Sequence, residues 1–322
     1  MQAGSGMTLF SRAQRAISSR RTRLHDQKLT RDALDSYVVE WREERGGFGK
    51  VCYFSSFDPD GIVDSYVFHY LRQLKGLGYG IVFISTSKDI RPLDLETLKT
   101  LTWVVIKRSN VGLDFLSWKI GLAIQPPGHD TETVLFANDS VYGPVFPLER
   151  YIRQLEESEW DMVGFTDSWF EAFHVQSYFL LCKASIIRSG FLGNFFERVQ
   201  VVSDKWELIK RYEIGFSQEL LKAGFAVGAL VDFRRLFSTH GTVASSEANA
   251  RYGANALYVF WDVLLKFGLC PFIKRGIFRE LPPSEMLLTD TIEQALAGSG
   301  SDFDFGLVLD NLKRTLRTDF SQ

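Results

Sequence analysis

Short apolar segments alternate with segments of helical periodicity in the first half of the chain, and this order restricts the fold more than any other feature. The apolar segments are 51–55, 79–85, 103–107 and 134–137. Their length and their branched residues predict β-strands. A helix with an apolar stripe follows the first segment, and a helix from about residue 94 to 101 precedes the third. The alternation predicts an α/β fold, a mostly parallel sheet with helices on both faces and right-handed crossovers.

Length and composition exclude several classes of protein. The 322 residues suit one large α/β domain with additions, or two small domains, and 45% hydrophobic residues allow a sizeable core. The net charge of −2 gives no case for nucleic-acid binding. The three cysteines, Cys52, Cys182 and Cys270, lie far apart, which argues against a zinc site or a disulfide framework. Without a transmembrane-length run or a signal peptide, a cytoplasmic protein is expected.

The N-terminal region is strongly basic. Residues 10–31 carry seven Lys or Arg residues against one acid, Asp26, with small apolar residues at helical spacing among them. This pattern predicts a short basic amphipathic helix that can lie on the anionic inner face of a membrane, each basic residue adding about 1 kcal/mol. The small apolar face favours the alternative, a solvated and partly disordered arm. Residues 32–45 are predicted to continue as a charged helix until Gly46 and Gly47 interrupt it.

A polar triplet follows the fourth apolar segment. Asn138, Asp139 and Ser140 come directly after residues 134–137. Short polar side chains after a buried strand lie at the carboxyl edge of a sheet, where open α/β sheets bind ligands. One carboxylate there can hold a divalent cation, which in turn can hold a diphosphate. The alternative is an Asx-type turn in which Asp139 and Ser140 bond only their own backbone.

Two other turns are predicted to face the same edge. Asp58 and Asp60 follow the first strand, and they form either part of a nucleotide site or an ordinary Asp-Pro-Asp-Gly turn. Asn110 and Gly112 follow the third strand, where Asp114 is either a ligand-binding carboxylate or the N-cap of the next helix. Lys119 on that helix can neutralise phosphate or can be a plain surface lysine.

The second half mixes strands and helices. The predicted strands are 161–165, 173–182 and 225–233, of which the first ends in a polar turn at 166–168 and the third is the last strand. The predicted helices are 148–157, 184–196, 205–212 and one that begins with residues 213–219. A further helix, 307–316, is predicted after a flexible linker at 299–301. In the strand 173–182, His174, Gln176 and Tyr178 share one face. A lone histidine on a strand is more often a structural residue than a ligand.

Six segments occur in one order: 58–66, 110–119, 138–147, 176–179, 212–218 and 272–275. In the sequences of these segments and in their order, the chain resembles the rhamnan synthesis protein F family of bacterial polysaccharide glycosyltransferases. The resemblance covers about residues 50–280 and leaves out the basic arm and about the last forty residues.

The resemblance implies a GT-A type glycosyltransferase fold. A domain at 49–280 would consist of a nucleotide-sugar half, about 49–147, and an acceptor half, about 148–280, between a basic helical arm at 1–48 and a C-terminal helical tail at 281–322. It implies transfer of a sugar, often L-rhamnose from a dTDP-sugar, onto a cell-surface polysaccharide or its lipid-linked precursor, with inversion. Another donor, such as a UDP- or GDP-sugar, and a non-catalytic protein that binds a glycan or a synthase complex are the alternatives.

The resemblance also assigns a donor site. GT-A enzymes usually end the fourth strand in an Asp-x-Asp motif that holds a divalent cation, Mg²⁺ or Mn²⁺. Here Asp139 is the one carboxylate of the triplet, and His240 is a candidate further ligand. A metal-free site with Lys or Arg on the diphosphate is the alternative. The candidate nucleotide-sugar residues are Asp58, Asp60, Asn110, Gly112, Asp114, Lys119, Asn138, Asp139 and Ser140.

A base and an acceptor site are expected in the second half. Inverting GT-A enzymes often place a carboxylate at the start of a helix that faces the acceptor, and Glu213 matches this place, with Asp167 as the second candidate. The alternative for Glu213 is an acid that stabilises the helix dipole. His174, Gln176 and Tyr178 are the candidates for binding the acceptor.

Overall fold

The computed structural model describes residues 9–44, 46–240, 255–280 and 287–316. The strands are β1 (Val38–Arg42), β2 (Lys50–Ser56), β3 (Tyr79–Ser85), β4 (Val104–Lys107), β5 (Thr133–Asn138), β6 (Val141–Tyr142), β7 (Met162–Ser168), β8 (His174–Val175), β9 (Phe179–Lys183), β10 (Val227–Val231) and β11 (Ile273–Lys274). The helices are α1 (Leu9–Asp35), α2 (Ser65–Gly76), α3 (Pro92–Leu101), α4 (Leu113–Ile124), α5 (Leu148–Glu157), α6 (Ala184–Arg188), α7 (Phe191–Glu197), α8 (Lys205–Leu208), α9 (Gly215–Lys222), α10 (Phe233–His240), α11 (Ala256–Val259), α12 (Trp261–Lys266), α13 (Gly276–Glu280), α14 (Leu287–Gly298) and α15 (Gly306–Leu316). A π-helix, Ile209–Ile214, joins α8 to α9.

One mixed sheet organises the described residues. Its order is β1-β4-β3-β2-β5-β9-β7-β10, with β8 on β7, and β6 pairs with β11 in a separate two-stranded sheet. The four strands β4, β3, β2 and β5 run parallel, as the sequence predicts. Ser55 lies opposite both Ile84 and Asn138, so these strands end side by side. The strand β9 reverses the direction between β5 and β7, and β10 is parallel to β7.

Helices cover both faces of the sheet. Along β2, Cys52 and Phe54 belong to one buried cluster, whereas Val51 and Tyr53 belong to another. The first cluster lies under α2 and α5, and the second lies under α4, α7 and α9. Because successive side chains of a strand point to opposite faces, burial on both sides explains why the strands read as continuous apolar runs.

Both ends of the described chain pack against this body. In α14 and α15, Ile292 and Val308 are fully buried in the first cluster. In α1, Thr30 Oγ1 accepts a hydrogen bond from Val201 N at 2.8 Å. The predicted basic arm is helical from residue 9, but residues 1–8 and the side chains up to residue 21 lie outside the described part, so membrane contact stays a prediction. No helix among the described residues combines the length and the apolar character needed to cross a membrane.

The predicted charged helix at 32–45 is wrong beyond Asp35. The strand β1 at Val38–Arg42 pairs antiparallel with β4, and Val38 lies opposite Lys107. Val38, Val39 and Trp41 favour extended backbone. The free edge of β4 offers backbone hydrogen bonds to a neighbouring strand, and residues 38–42 could not make these bonds as a further turn of helix.

Five features of the second half also differ from the prediction. The residues predicted as a polar turn at 166–168 are the last part of β7, and the predicted strand 173–182 is divided into β8 and β9. The predicted helix 184–196 is broken at Gly190, whose φ of 77° is left-handed. Residues 209–214 form the π-helix rather than the end of one helix and the start of the next. The strand β11 follows β10, which was predicted to be the last strand.

Candidate functional site

Asp139 lies immediately after β5, and its side chain is 15% exposed. Its Oδ2 accepts hydrogen bonds from Ser56 Oγ at 2.9 Å and from Phe57 N at 3.0 Å. The carboxylate therefore joins the end of β5 to the end of β2, and the alternative in which it bonds only its own backbone is wrong. Burial raises the pKa of Asp139, while the Arg275 guanidinium and these two hydrogen bonds lower it.

Asn138, the last residue of β5, makes the local turn itself. Its Oδ1 accepts from Ser140 N at 3.1 Å and from Ser140 Oγ at 2.6 Å. Its Nδ2 donates to Asp114 Oδ2 at 2.8 Å. The side-chain amide thus connects the polar triplet to the first turn of α4, and the structure brings together three residues that the sequence assigned to one edge.

Asp114 is in the first turn of α4 but does not cap the helix. The N-cap is Gly112, with a φ of 71°, so the N-cap alternative for Asp114 is wrong. Leu113 also has a left-handed φ, 48°, and a Cβ on Gly112 would lie 2.8 Å from a Leu116 methyl carbon. Burial raises the pKa of Asp114 to about 6, and nearby Asp139 also raises it, while a hydrogen bond with Ser55 and the charges of Lys274 and Arg108 lower it.

Arg108, which the sequence did not single out, orders the loop before α4. It is buried, and it donates to the carbonyl oxygens of Ser109 at 2.8 Å, Val111 at 2.6 Å and Leu113 at 2.7 Å. It also donates to Ser117 Oγ at 2.7 Å. Burial lowers the pKa of Arg108 to about 10. A buried guanidinium requires such partners, so this loop has one well-defined conformation.

Two further cations reach the polar triplet through β11. Lys274 lies opposite Val141 in the pairing of β11 with β6, and Lys274 Nζ donates to Ser140 Oγ at 3.0 Å. Arg275 Nη1 donates to Asp139 O at 3.0 Å and lies 3.8 Å from Asp139 Oδ2. In the sequence, the motif at 272–275 supported the family resemblance but no role was predicted for it. Its two adjacent cations, Lys274 and Arg275, were the sequence signal that could have indicated a phosphate-binding role.

A cavity of about 560 Å³ opens at the carboxyl ends of β2, β3 and β4. Its lining includes Phe57, Pro59, Ser87, Lys107 and Asn110, and Asn110 is exposed to it. Phe57, whose N–H donates to Asp139, lines this cavity, so the cavity adjoins the contact between Asp139 and the end of β2.

The turn at 58–61 is built around Asp58. Its Oδ1 accepts from Asp60 N at 2.9 Å and from Ile62 N at 3.2 Å, and its other oxygen pairs with Arg314. Asp60 pairs with Arg314 as well, at 3.3 Å. Both carboxylates thus already bind protein groups, next to the carboxyl edge of the sheet.

Lys119 does not join the cluster. Its ammonium donates to Glu197 O at 2.9 Å and to Val199 O at 2.7 Å, at the end of α7. Five positions along a helix turn a side chain by about 500°, which places Lys119 on a different face of α4 from Asp114.

Glu213 lies inside the π-helix, half-buried, and its Oε1 accepts from Ser177 N at 3.1 Å. Ser177 stands two residues before Phe179, which pairs with Ala137 at the end of β5. The candidate base thus lies beside the same sheet edge as the polar triplet. Asp167, in contrast, is buried in β7 opposite Val175, accepts from Phe233 N at 2.7 Å, and has a pKa raised by burial.

The three candidate acceptor residues are buried. His174 has a ring nitrogen 2.9 Å from Ala172 O. Thr166 Oγ1 donates to Gln176 Oε1 at 2.7 Å and lies 3.0 Å from Tyr178 Oη. The Tyr178 ring also lies 5.9 Å from Lys274 Nζ. Tyr178 therefore packs beside Lys274, and all three side chains bond to neighbouring protein groups in the interior.

His240 ends α10 beside Phe267, with the ring centroids 6.3 Å apart. No contact joins it to Asp139 in the described part of the chain. Over the same residues, no group of three or more His, Cys, Asp or Glu side chains is arranged to hold a metal ion.

Comparison with known proteins gives a family. A family profile described as rhamnan synthesis protein F matches residues 81–322. This range includes the C-terminal tail, so the expectation that about the last forty residues fall outside the family is wrong. The chain is also 26% identical over 179 residues to the uncharacterized protein y4gN of Sinorhizobium fredii (strain NBRC 101917 / NGR234), a match that covers 54% of this chain and 46% of that protein. The chain thus spans about half the length of this curated relative.

Three solved structures show a distant likeness. A putative nucleotide-diphospho-sugar transferase from Desulfovibrio desulfuricans G20 has a TM-score of 0.35 and 13% identity, covering 64% of this chain and 95% of that one. A cytidylyltransferase from Leptospira borgpetersenii has a TM-score of 0.34 and 9% identity, covering 56% and 75%. S. aureus TarS (residues 1–349) has a TM-score of 0.32 and 12% identity, covering 83% and 91%.

Proposed function

Because the chain belongs to the rhamnan synthesis protein F family, we propose that it is a glycosyltransferase that adds a sugar to a bacterial cell-surface polysaccharide or its lipid-linked precursor. The proposed donor is dTDP-L-rhamnose. One observation carries the proposal: two carboxylates, Asp114 and Asp139, and two cations, Lys274 and Arg275, surround the end of β5. Asp139 also contacts Phe57, which lines a cavity of about 560 Å³ at the same edge of the sheet.

The donor nucleotide would bind along this edge. The base and ribose would occupy the cavity near Asn110, and the diphosphate would lie near Ser140, Lys274 and Arg275. When the bond between the sugar and the diphosphate breaks, negative charge builds on the departing phosphate oxygen. Fixed cations close to that oxygen lower the barrier because their charge needs no rearrangement during the reaction.

A divalent cation fits the same place. The triplet offers only oxygen ligands, which Mg²⁺ and Mn²⁺ prefer, and Mg²⁺ needs one or two protein carboxylates when phosphates complete its coordination. Asp139 would hold the cation through Oδ1, since Oδ2 already accepts from Ser56 and Phe57. A bound cation would supply further positive charge to the leaving diphosphate. Lys274 and Arg275 offer the alternative source of that charge.

Glu213 is the proposed base. It would take the proton of the acceptor hydroxyl while that oxygen attacks the sugar C1 from the face opposite the diphosphate. The C1–O bond to the diphosphate then breaks, and the configuration at C1 inverts. The half-buried position of Glu213 leaves it within reach of an acceptor, whereas Asp167, the second candidate, is buried and bonded to Phe233 N.

A melting screen tests the donor site. The chain is heated with dTDP, UDP or GDP, each with Mn²⁺ or with EDTA; a nucleotide at a hundred times its dissociation constant adds about 2.7 kcal/mol to the free energy of unfolding. We expect dTDP to give the largest shift. A shift that survives EDTA assigns the diphosphate to Lys274 and Arg275, and a shift lost in EDTA assigns it to a cation at Asp139.

Transfer itself is tested with Asp139→Asn. This variant should lose rhamnose transfer, while Asp130→Asn, at a fully exposed position, should keep it. If no nucleotide shifts the melting temperature and Asp139→Asn changes nothing, the chain is a binding protein and the proposed activity is wrong.

A further inference from the structure

The C-terminal helix α15 carries an arginine that is surrounded by three carboxylates of one loop. Arg314, with its side chain 23% exposed, pairs with Asp58, with Asp60 at 3.3 Å and with Asp64 at 2.6 Å. All three carboxylates belong to the loop 57–64 that connects β2 to α2. A guanidinium is planar and has five N–H donors, so one arginine can serve several carboxylates at once.

This loop lies between the groups that hold Asp139. On one side of it, Ser56 Oγ and Phe57 N donate to Asp139 Oδ2. On the other side, Tyr66 Oη donates to Asp139 O at 3.2 Å. The loop packs closely against the backbone of Asp89, since a Cβ on Gly61 would lie 2.3 Å from Asp89 O. The conformation of residues 57–64 therefore affects Asp139 from both ends, its carboxylate through Phe57 and its backbone oxygen through the neighbouring Tyr66.

A second set of contacts connects the helix to one cation of the site, Arg275. Asn311 Nδ2 donates to Asp64 Oδ2 at 2.7 Å, and Asn311 Oδ1 accepts from Tyr142 Oη at 2.6 Å. The Tyr142 ring in turn lies 5.8 Å from the Arg275 guanidinium. Asn311 is almost completely buried, so this link is part of the packed interior.

Charge explains why the loop needs the helix. Three carboxylates within one short loop repel one another, and water screens them poorly where Asp58 is buried. Without the guanidinium, the loop would separate its carboxylates and move Phe57 away from Asp139.

We propose that Arg314 is a positioning residue for the nucleoside diphosphate site, and that α15 completes this site by locking residues 57–64 against Asp139. The proposal rests on the proposed glycosyltransferase function. It assigns a role to the C-terminal helix, which the sequence treated as a tail outside the domain.

The test compares Arg314→Ala with Lys313→Ala, a change at the exposed neighbouring position on the same helix. Donor KM, kcat and the dissociation constant of dTDP are measured with the full chain, and folding is followed by circular dichroism. We expect Arg314→Ala to raise donor KM and the dTDP dissociation constant about tenfold, with little change in kcat at saturating donor. Added guanidinium ion should restore much of this loss, and Lys313→Ala should match the wild type.

Specific results overturn the proposal. A folded Arg314→Ala chain with wild-type dTDP affinity shows that the helix does not position the site. A loss that guanidinium does not reverse, together with a lower melting temperature, reduces Arg314 to a general stabilising role. Should Arg314→Ala fail to fold, Asn311→Ala is used, and unchanged dTDP affinity in that variant has the same meaning. A wild-type chain that binds no nucleoside diphosphate overturns the proposed function itself, which is a separate result.

Discussion

Lys274 Nζ donates a hydrogen bond to Ser140 Oγ at 3.0 Å, although the two residues are 134 positions apart in the chain. The pairing of β11 with β6 creates this contact, since it places Lys274 opposite Val141, the residue after Ser140. A cation thereby lies beside the polar triplet, whose own residues carry no positive charge. The donor edge of the sheet is thus built from two distant parts of the chain.

The first prediction concerns this lysine. Lys274→Met should weaken dTDP binding at least tenfold, because a hydrogen bond to a charged group contributes about 1.5–3 kcal/mol. Binding of thymidine, which lacks the diphosphate, should change little. Titration calorimetry of both ligands measures the difference, and Lys266→Met, at an exposed position of α12, is the control. An equal loss for both ligands would mean that Lys274 supports the fold and does not contact the diphosphate.

The second prediction concerns Glu213. Glu213→Gln should lower kcat by roughly 10²–10⁴, the usual contribution of a general base, and should leave dTDP affinity unchanged. The amide can still accept the hydrogen bond from Ser177 N, so the π-helix should persist. Glu219→Gln breaks a surface ion pair with Arg198 and should keep wild-type kcat. Wild-type turnover by Glu213→Gln would show that another residue is the base, and Asp167 would be the next candidate to test.

The third prediction is a pH dependence caused by Asp114. Its pKa in the folded chain is about 6, above the ordinary 3.8, so the folded state binds more protons than the unfolded state between these values. The free energy of unfolding therefore decreases as pH rises from about 4 to about 6, and the full penalty is present above pH 6. Asp114→Asn removes this contribution.

Urea denaturation of Asp114→Asn and the wild type across this range provides the measurement. The free energy of unfolding of the variant minus that of the wild type should increase up to about pH 6 and then stay constant. Asparagine can still accept from Asn138 Nδ2, so the local geometry is conserved. A difference that does not vary with pH would show that Asp114 titrates normally.

The fourth prediction tests the packing of β7 against β8 and β9. A Cβ on Gly164 would lie 2.4 Å from a Val175 methyl carbon and 2.6 Å from Phe179 O. Gly164→Ala should therefore destabilise the chain by about 1–3 kcal/mol, because one of the close contacts is with backbone. Gly193 in α7 has no atom within 4 Å of the equivalent position, and Gly193→Ala should stabilise by about 0.5–1 kcal/mol. Equilibrium urea unfolding distinguishes the two, and equal effects would contradict this packing.

Several parts of the fold were predictable because their signals are local. The helix at Leu148–Glu157 has the predicted bounds, and β2 to β5 form the predicted parallel group. The charged residues around Trp41 concealed β1, whose strand conformation depends on the free edge of β4. The position of Glu213 inside a π-helix was equally inaccessible, since one extra residue in a helical turn leaves no periodicity to detect.

The sequence by itself determined which segments form the parallel strands and the position of Asp139 at their carboxyl edge. Both follow from alternating apolar runs and polar turns, which act over a few residues. Only the tertiary structure decided which cations reach this edge. Arg108, Lys274, Arg275 and Arg314 reach the edge through a buried loop, a two-stranded pairing and a packed C-terminal helix. The physical reason is that an ion pair between distant residues forms only when packing and strand register bring them together, and neither is encoded in the spacing of the residues themselves.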